Sequence, residues 1–91
     1  MLYMIVEHFN NQDPVPVYSR FREQGRMLPQ GLQYVSSWVD EKLDRCFQLM
    51  ETNDHKLLDE WIARWNDLAE FEVYPVISSQ EAAEKVSQLK S

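Results

Sequence analysis

The stretch YVSSWVDEKLDRCFQLMET, from Tyr34 to Thr52, decides the fold. Its two halves belong to runs rich in β-branched and aromatic residues, 32–39 and 45–52, which flank a polar segment at 40–44. Two such runs joined by a short polar segment predict an antiparallel hairpin. The stretch also carries a tryptophan, two serines, an arginine and the single cysteine of the chain, so it holds candidate site residues as well.

The segment before this hairpin reads as a strand and a helix. Residues 2–9 (LYMIVEHF) are apolar and β-prone, and they predict a first strand. Asp13 is the predicted N-cap of a helix, with Pro14 at its first position. Pro29 is the predicted stop. The expected buried stripe of this helix consists of Val17, Phe21 and Leu28.

The segment after the hairpin predicts a second helix, a fourth strand and a third helix. Asn53-Asp54 is the expected cap of the second helix, and residues 71–77 (FEVYPVI) read as the strand. Pro75 predicts an edge position for that strand, because proline cannot donate to a ladder. Ser78 and Glu81 form a capping box for a last helix through Leu89. The apolar stripe of the second helix is Leu57, Leu58, Trp61, Ile62, Trp65, Leu68 and Ala69.

The order β-α-β-β-α-β, followed by one more helix, predicts a ferredoxin-like α+β sandwich. Right-handed crossovers give a four-stranded antiparallel sheet of strand order 4-1-3-2, with helices on one face. The length of 91 residues fits a single domain over residues 1–91.

Strict alternation along the strands sorts their side chains into two sets, and both sets are largely apolar. Because an apolar sheet face should not stay in water, we expect a homodimer that stacks two open faces into a dimeric α+β barrel. One set is Tyr3, Ile5, Glu7, Phe9, Phe47, Leu49, Phe71, Val73 and Ile77. The other is Leu2, Met4, Val6, His8, Val35, Val39, Met50, Tyr74 and Val76.

Composition argues against several functional classes. The formal charge of -6, with no run of basic residues, disfavours nucleic acid and anionic membranes as partners. One cysteine cannot form an internal disulfide, which favours a cytoplasmic location. The opening MLYMIVEHF is too short to span a bilayer. No metal-ligand spacing and no glycine-rich phosphate loop occurs, so we expect neither a metal nor a cofactor.

The segments YVSSWVDEKLDRCFQLMET and LLDEWIARWNDLAEFEVYPVI resemble a family of small bacterial proteins of unknown function, family 3303. The resemblance covers nearly the whole chain and implies a dimeric α+β barrel-like fold, but no activity. The architecture is also similar to that of the dimeric α+β barrel superfamily, which includes cofactor-free monooxygenases, lactone isomerases and haem-degrading enzymes. A likeness of fold does not transfer a reaction, so no catalytic residue is carried over.

Antiparallel pairing of the first and third strands predicts two cross-strand pairs. His8 is expected near Cys46 on one face, and Glu7 near Arg45 on the other. A Cys–His pair can act as nucleophile and base, whereas a small buried cysteine beside a histidine at the rim is the simpler interpretation. The second pair is expected to be an ion pair that fixes the register, with a desolvated general base as the alternative if Arg45 points elsewhere.

Further candidates come from arginine and tryptophan spacing. Arg22 and Arg26 lie one helical turn apart and could hold an anion, or could simply face solvent. Trp61 and Trp65 could line a flat pocket or pack in the core, and His55 is expected to be exposed. The predicted pocket lies between sheet and helices and is lined by Trp38, Trp61, Trp65, Glu7, Ser36 and Arg45.

Three functions therefore stay open at the level of sequence. The chain could bind a small molecule in that pocket, with or without a cofactor-free reaction. It could be a structural or interaction module, in which case the tryptophans fill the core and leave no cavity. It could also sense a ligand and signal to a partner protein through an exposed patch.

Overall fold

The computed structural model describes residues 1–89, in which four strands and three α-helices follow the predicted order. A short 3-10 turn, Asn10–Gln12, links the first strand to the first helix. The bounds are β1 Leu2–Phe9, α1 Val15–Gln24, β2 Gln33–Val39, β3 Arg45–Glu51, α2 Lys56–Ala63, β4 Ala69–Val76 and α3 Ser79–Leu89.

The strands form one antiparallel sheet of order β2-β3-β1-β4, which is the predicted order counted from the other edge. The predicted ferredoxin-like α+β layout is therefore confirmed. β4 is an edge strand, as Pro75 indicated, and Pro75 lies opposite Tyr3 in the neighbouring central strand. A proline is tolerated there because one side of an edge strand needs no ladder partner.

The hairpin contains an irregularity that strict alternation does not show. Tyr34 pairs with Met50, but the next pair is Ser36 with Leu49, so Val35 is an extra residue in β2. The extra residue of a bulge shifts the alternation of side chains, so that residues before and after it exchange sheet faces relative to a regular strand. Tyr34 therefore shares a sheet face with Ser37, and Ser36 points the other way.

The first helix is shorter than predicted. It ends at Gln24, because Gly25 takes a left-handed φ of 69° and Met27 follows with a φ of 56°. Leu28 lies beyond the helix, Phe21 is 41% exposed, and Val17 alone of the expected stripe is buried. At the other end, the Asp13 carboxylate accepts a hydrogen bond from the Val15 backbone N–H at 3.0 Å.

The second helix also ends early, at Ala63, and a series of turns leads to Ala69, which already belongs to β4. The N-cap is His55, one residue later than the predicted Asn53-Asp54, and the Asp54 carboxylate accepts a hydrogen bond from the Lys56 N–H at 3.0 Å. Gly31 passes so close to this helix that a Cβ there would lie 2.9 Å from Leu57 Cδ1. Its φ of 99° also favours glycine.

The third helix begins with the predicted capping box. The Ser78 hydroxyl accepts the Glu81 N–H at 3.1 Å, and the same two side chains lie 3.5 Å apart at Oγ and Oε1. None of its residues is buried, and Val86 is 52% exposed. This helix therefore adds nothing to the core that α1 and α2 form with the sheet.

The core lies between α1, α2 and one face of the sheet, which we call the covered face. It is built from Ile5, Phe9, Val17, Leu32, Cys46, Met50, Leu58, Trp61, Trp65 and Ala69. The predicted division of β3 between the two faces is wrong by one residue. Ile5 lies opposite Gln48 and Glu7 opposite Cys46, so Phe47 and Leu49 lie on the other face, which we call the open face.

Candidate functional site

A partly open cavity of about 220 Å³ separates the covered face from α1 and α2. Most of its wall is apolar or aromatic, and one part is polar. The apolar lining consists of Phe9, Val17, Phe21, Val39, Trp61 and Trp65. The polar lining consists of Glu7, Tyr18, Arg26, Ser37, Cys46 and Gln48. A small apolar cavity with a few convergent polar groups is the usual form of a ligand site.

The carboxyl group of Glu7 is the most unusual of these polar groups. Glu7 is only 4% exposed, yet its side chain makes no hydrogen bond or ion pair within residues 1–89. Loss of hydration on burial raises the pKa of Glu7 to about 7, although the positive charge of Arg26 opposes the rise. A buried carboxyl without a fixed partner, facing a cavity, can exchange a proton with a bound molecule.

Arg26 supplies the positive charge of the cavity from the turn that follows α1. Its backbone carbonyl accepts hydrogen bonds from the indole N–H of Trp61 at 3.0 Å and of Trp65 at 3.1 Å. Arg64 holds the next residue by donating to the Met27 carbonyl. Both tryptophans thus pack in the core and fix this turn by hydrogen bonds, so their N–H groups are not available to a ligand.

The guanidinium group of Arg26 is held in place on several sides. It lies 3.6 Å from the centre of the Tyr34 ring and 5.1 Å from that of Phe21. Its Nε donates to Gln48 Oε1 at 3.3 Å, and its Nη2 lies 3.5 Å from the Ser37 hydroxyl. Among the described residues Nη1 has no hydrogen-bond acceptor. A fixed guanidinium with free donors can hold an oxygen atom of a ligand.

Cys46 lies opposite Glu7 in the sheet and also lines the cavity. Burial, together with the negative charge of Glu7, raises the pKa of the Cys46 thiol to about 12. The thiol is therefore protonated at neutral pH, whereas the thiolate is the nucleophilic form. A buried, protonated thiol is typical of a packing residue.

The predicted cross-strand pairs are wrong, because the register differs by one residue. Glu7 faces Cys46, and His8 faces Arg45. His8 lies on the open face and contacts Glu72 at 2.5 Å, so no Cys–His pair forms. Arg45 forms an ion pair with Asp40 at 3.0 Å instead of with Glu7. Glu7 is thereby left without the cation that sequence assigned to it.

The cavity gathers some of the predicted site residues and leaves others outside. Glu7, Trp61, Trp65, Arg26 and Cys46 line it together. The residues that lie outside it are Trp38, Ser36, Arg45, His8 and Arg22. Trp38 and Ser36 are excluded because they pair with Phe47 and Leu49, which lie on the open face. Arg22 is exposed on α1, and so is His55 ahead of α2, as predicted for that histidine.

Sequence reasoning missed Ser37 and Gln48 as lining residues. Gln48 is only 5% exposed, although it is polar and lies mid-strand between Cys46 and Met50. A glutamine flanked by two buried positions of the same face was the available signal. Ser37 had no comparable signal, because its face follows from the register with β3, in which Ser37 lies opposite Gln48 and Ser36 opposite Leu49.

The open face carries the second apolar surface. Its central part consists of Leu2, Met4, Val6, Trp38, Phe47, Leu49, Tyr74 and Val76, and no helix among residues 1–89 covers it. Trp38 is 56% exposed and Tyr74 47%. Glu72, in the same face, accepts hydrogen bonds from Tyr74 and from His8. These bonds hold the pKa of Glu72 below its usual value, the tyrosine contributing most.

Among residues 1–89, no helix is both long and apolar enough to cross a bilayer. Nor does that range contain a cluster of three or more histidine, cysteine or acidic side chains arranged to hold a metal ion.

Comparison with known proteins gives a family without an assigned reaction. The sequence model of the family described as Domain of unknown function (DUF3303) matches residues 1–90. No curated protein matches the chain. Among solved structures, the chain is similar to a structural-genomics crystal structure of an Agrobacterium tumefaciens protein. The identity is 13% and the TM-score 0.47, over 87% of this chain and 96% of the other.

Proposed function

The chain belongs to the DUF3303 family, and we propose that it binds a small molecule in the cavity between the covered face and the two helices. One observation carries this proposal. A buried carboxyl without a hydrogen-bond partner and a guanidinium with unused donors face the same aromatic-walled space. Polar groups that are left open toward a cavity are satisfied by water or by a bound molecule, so these two groups mark the polar end of the proposed ligand site.

The size and lining of the cavity limit the ligand. A volume of about 220 Å³ suits a compact molecule of one ring or a short unsaturated chain. The apolar wall favours an aromatic or apolar body, while Glu7 and Arg26 favour one polar end. The single cysteine is compatible with a reducing compartment such as the cytoplasm.

Native mass spectrometry of freshly purified protein tests this proposal. A small molecule that stays bound in the gas phase and leaves on denaturation is the expected result. Ser37→Leu should expel it, because the added side chain enters the cavity. Ser36→Leu is the matched control, since the neighbouring serine faces away. Retention of the molecule by Ser37→Leu, or its loss in both variants, would contradict binding in this cavity.

A second proposal, favoured by the open face, is that the chain forms a homodimer through this surface. Two copies can stack the same apolar patch about a two-fold axis, as in packed sheets about 10 Å apart. The polar groups in the patch, Glu72, His8 and Tyr74, already pair within one protomer. They therefore bring no unpaired charge to the centre of the contact.

Analytical ultracentrifugation tests self-association. Phe47→Lys puts a charge in the middle of the open face, and the dimer should dissociate to a monomer. Leu43→Lys is the control, because Leu43 is similarly apolar but lies in the hairpin loop and is 53% exposed. A wild-type chain that sediments as a monomer at high concentration would contradict this proposal without affecting the first.

A further inference from the structure

We infer that the cavity is an acid–base site, in which Glu7 takes a proton from a carbon atom next to a carbonyl group while Arg26 holds the carbonyl oxygen. The substrates would be small aryl or unsaturated carbonyl compounds that interconvert between keto and enol forms. This inference deepens the binding proposed above and rests on it.

The state of Glu7 is the first argument. A general base has to reach the substrate, and its carboxylate must not be occupied by other donors. Glu7 meets both conditions, because it lines the cavity and its carboxyl has no hydrogen bond within residues 1–89. Burial also brings its pKa to about 7, where a base is both available and strong enough at neutral pH.

The position of Arg26 is the second argument. Removing a proton beside a carbonyl leaves a negative charge on the oxygen, which needs a donor already in place. Arg26 is fixed by two indole N–H groups on its carbonyl and by aromatic rings beside its guanidinium. Its Nη1 is free to donate among the described residues. The donor thus requires no rearrangement when the charge appears.

The separation of the two groups is the third argument. Glu7 and Arg26 line the same cavity, yet no ion pair within 4.0 Å joins them. A direct pair would neutralise the base and close the polar end. With the groups apart, the atoms O=C–C–H of a substrate can lie between them, and its apolar body can pack on the aromatic wall.

The step is an isomerisation and needs no other reactant. The Glu7 carboxylate takes the proton, and the electron pair of the C–H bond becomes the carbon–carbon double bond of the enolate. The former carbonyl π electrons move to the oxygen, which Arg26 holds. Glu7 then returns the proton to the oxygen, giving the enol, or to the carbon, giving back the ketone.

Phenylpyruvate is a suitable probe, because it has one aromatic ring and an acidic methylene next to a ketone. We would follow deuterium uptake at that methylene in D2O by proton NMR, subtracting the rate without protein. The wild-type rate should exceed the background and rise with pH to a plateau, with a midpoint near 7. Glu7→Gln should lower the enzymatic rate by roughly 10²- to 10⁴-fold. Arg22→Gln, altered outside the cavity, should match the wild type.

Binding is read separately in the same samples from the indole N–H signals. Those of Trp61 and Trp65 should shift on adding phenylpyruvate, and that of Trp38 on the open face should not. Shifts without exchange would overturn the acid–base role and leave ligand binding intact. Glu7→Gln exchanging as fast as the wild type would also overturn it. If phenylpyruvate causes neither signal shifts nor exchange, the assigned substrate class is wrong. Native mass spectrometry then still tests whether the cavity binds a small molecule at all.

Discussion

Glu7 and Glu72 lie in neighbouring strands on opposite faces of one sheet, and their surroundings differ in every respect. Glu7 is on the covered face, buried, without a hydrogen bond among the described residues, and its pKa is raised to about 7. Glu72 is on the open face, exposed, bonded to Tyr74 and His8, and its pKa is lowered. The sheet thus leaves one carboxyl unsatisfied inside a cavity and satisfies the other where water is available.

The two faces of the sheet differ in what each leaves incomplete. Both faces are largely apolar, but only the covered face is closed by helices of the same chain. Its polar groups are the incomplete ones, and they point at a space of small-molecule size. On the open face Glu72 is bonded to His8 and Tyr74, and the apolar surface is the incomplete part. The proposed small-molecule ligand would occupy the space on the covered face, and the proposed second copy of the chain would cover the open face.

The largest expected difference between the faces concerns tryptophan. Trp61 is 1% exposed and its indole N–H holds Arg26, so Trp61→Ala should cost about 3–5 kcal/mol of unfolding free energy. Trp38→Ala should cost less than about 1 kcal/mol, because Trp38 is 56% exposed. Urea unfolding of both variants in the Phe47→Lys background removes any contribution from self-association. An equal loss of unfolding free energy in the two variants would contradict the claim that Trp61 is a core residue and Trp38 a surface residue.

The next effect is the pH dependence that Glu7 gives to stability. Its pKa is higher in the folded than in the unfolded chain, so the folded state binds more protons between the two values. Stability from this group is complete below the unfolded pKa and is lost as pH rises through about 7. Glu7→Gln should remove that loss. The unfolding free energy of the variant, relative to that of the wild type, should therefore rise by up to about 3 kcal/mol between pH 4 and pH 8.

Chemical unfolding of the wild type and Glu7→Gln across this pH range measures the gain. A difference between the two chains that does not change with pH would show that Glu7 titrates normally in the folded state.

The smallest effect is expected at Glu72, and it has the opposite sign. Its folded pKa is lowered, so its contribution is present above the unfolded pKa and disappears as pH falls through the folded pKa. Glu72→Gln should therefore lower the urea midpoint slightly at pH 7 and leave it unchanged in acid. A stabilising effect at pH 7 would mean that the bonds to Tyr74 and His8 do not hold this carboxylate.

The topology and the apolar character of both faces could be predicted from sequence, because strand runs, caps and crossover handedness are local or general rules. Side-chain placement near the hairpin could not. The bulge at Val35 puts Tyr34 on the face of Ser37 instead of that of Ser36, and tyrosine and valine fit either face, so alternation gives no warning. The predicted register of β3 was also wrong by one residue. It paired Arg45 with Glu7 and Cys46 with His8, whereas Cys46 lies opposite Glu7 and Arg45 opposite His8.

Arg26 shows a second reason for the limit. Sequence placed it on a helix face beside Arg22, whereas the helix ends at Gln24 and a left-handed turn carries Arg26 over the cavity. The hydrogen bonds that fix the turn come from α2, far along the chain. Tertiary contacts of this kind, rather than the local pattern, decide where the guanidinium points. Glu7, in contrast, could be predicted as a candidate site residue, because it is an acidic residue in an otherwise apolar strand.

The most direct test of a desolvated, unpaired Glu7 is an NMR titration of its side-chain carboxyl carbon in the ligand-free protein, with Glu7→Gln to assign the signal. A midpoint near pH 7 is the predicted result, because burial without a hydrogen-bond partner disfavours the charged form. A midpoint in the ordinary range of glutamate would show that the carboxyl is hydrated or bonded, and would contradict a desolvated, unpaired Glu7 in the cavity.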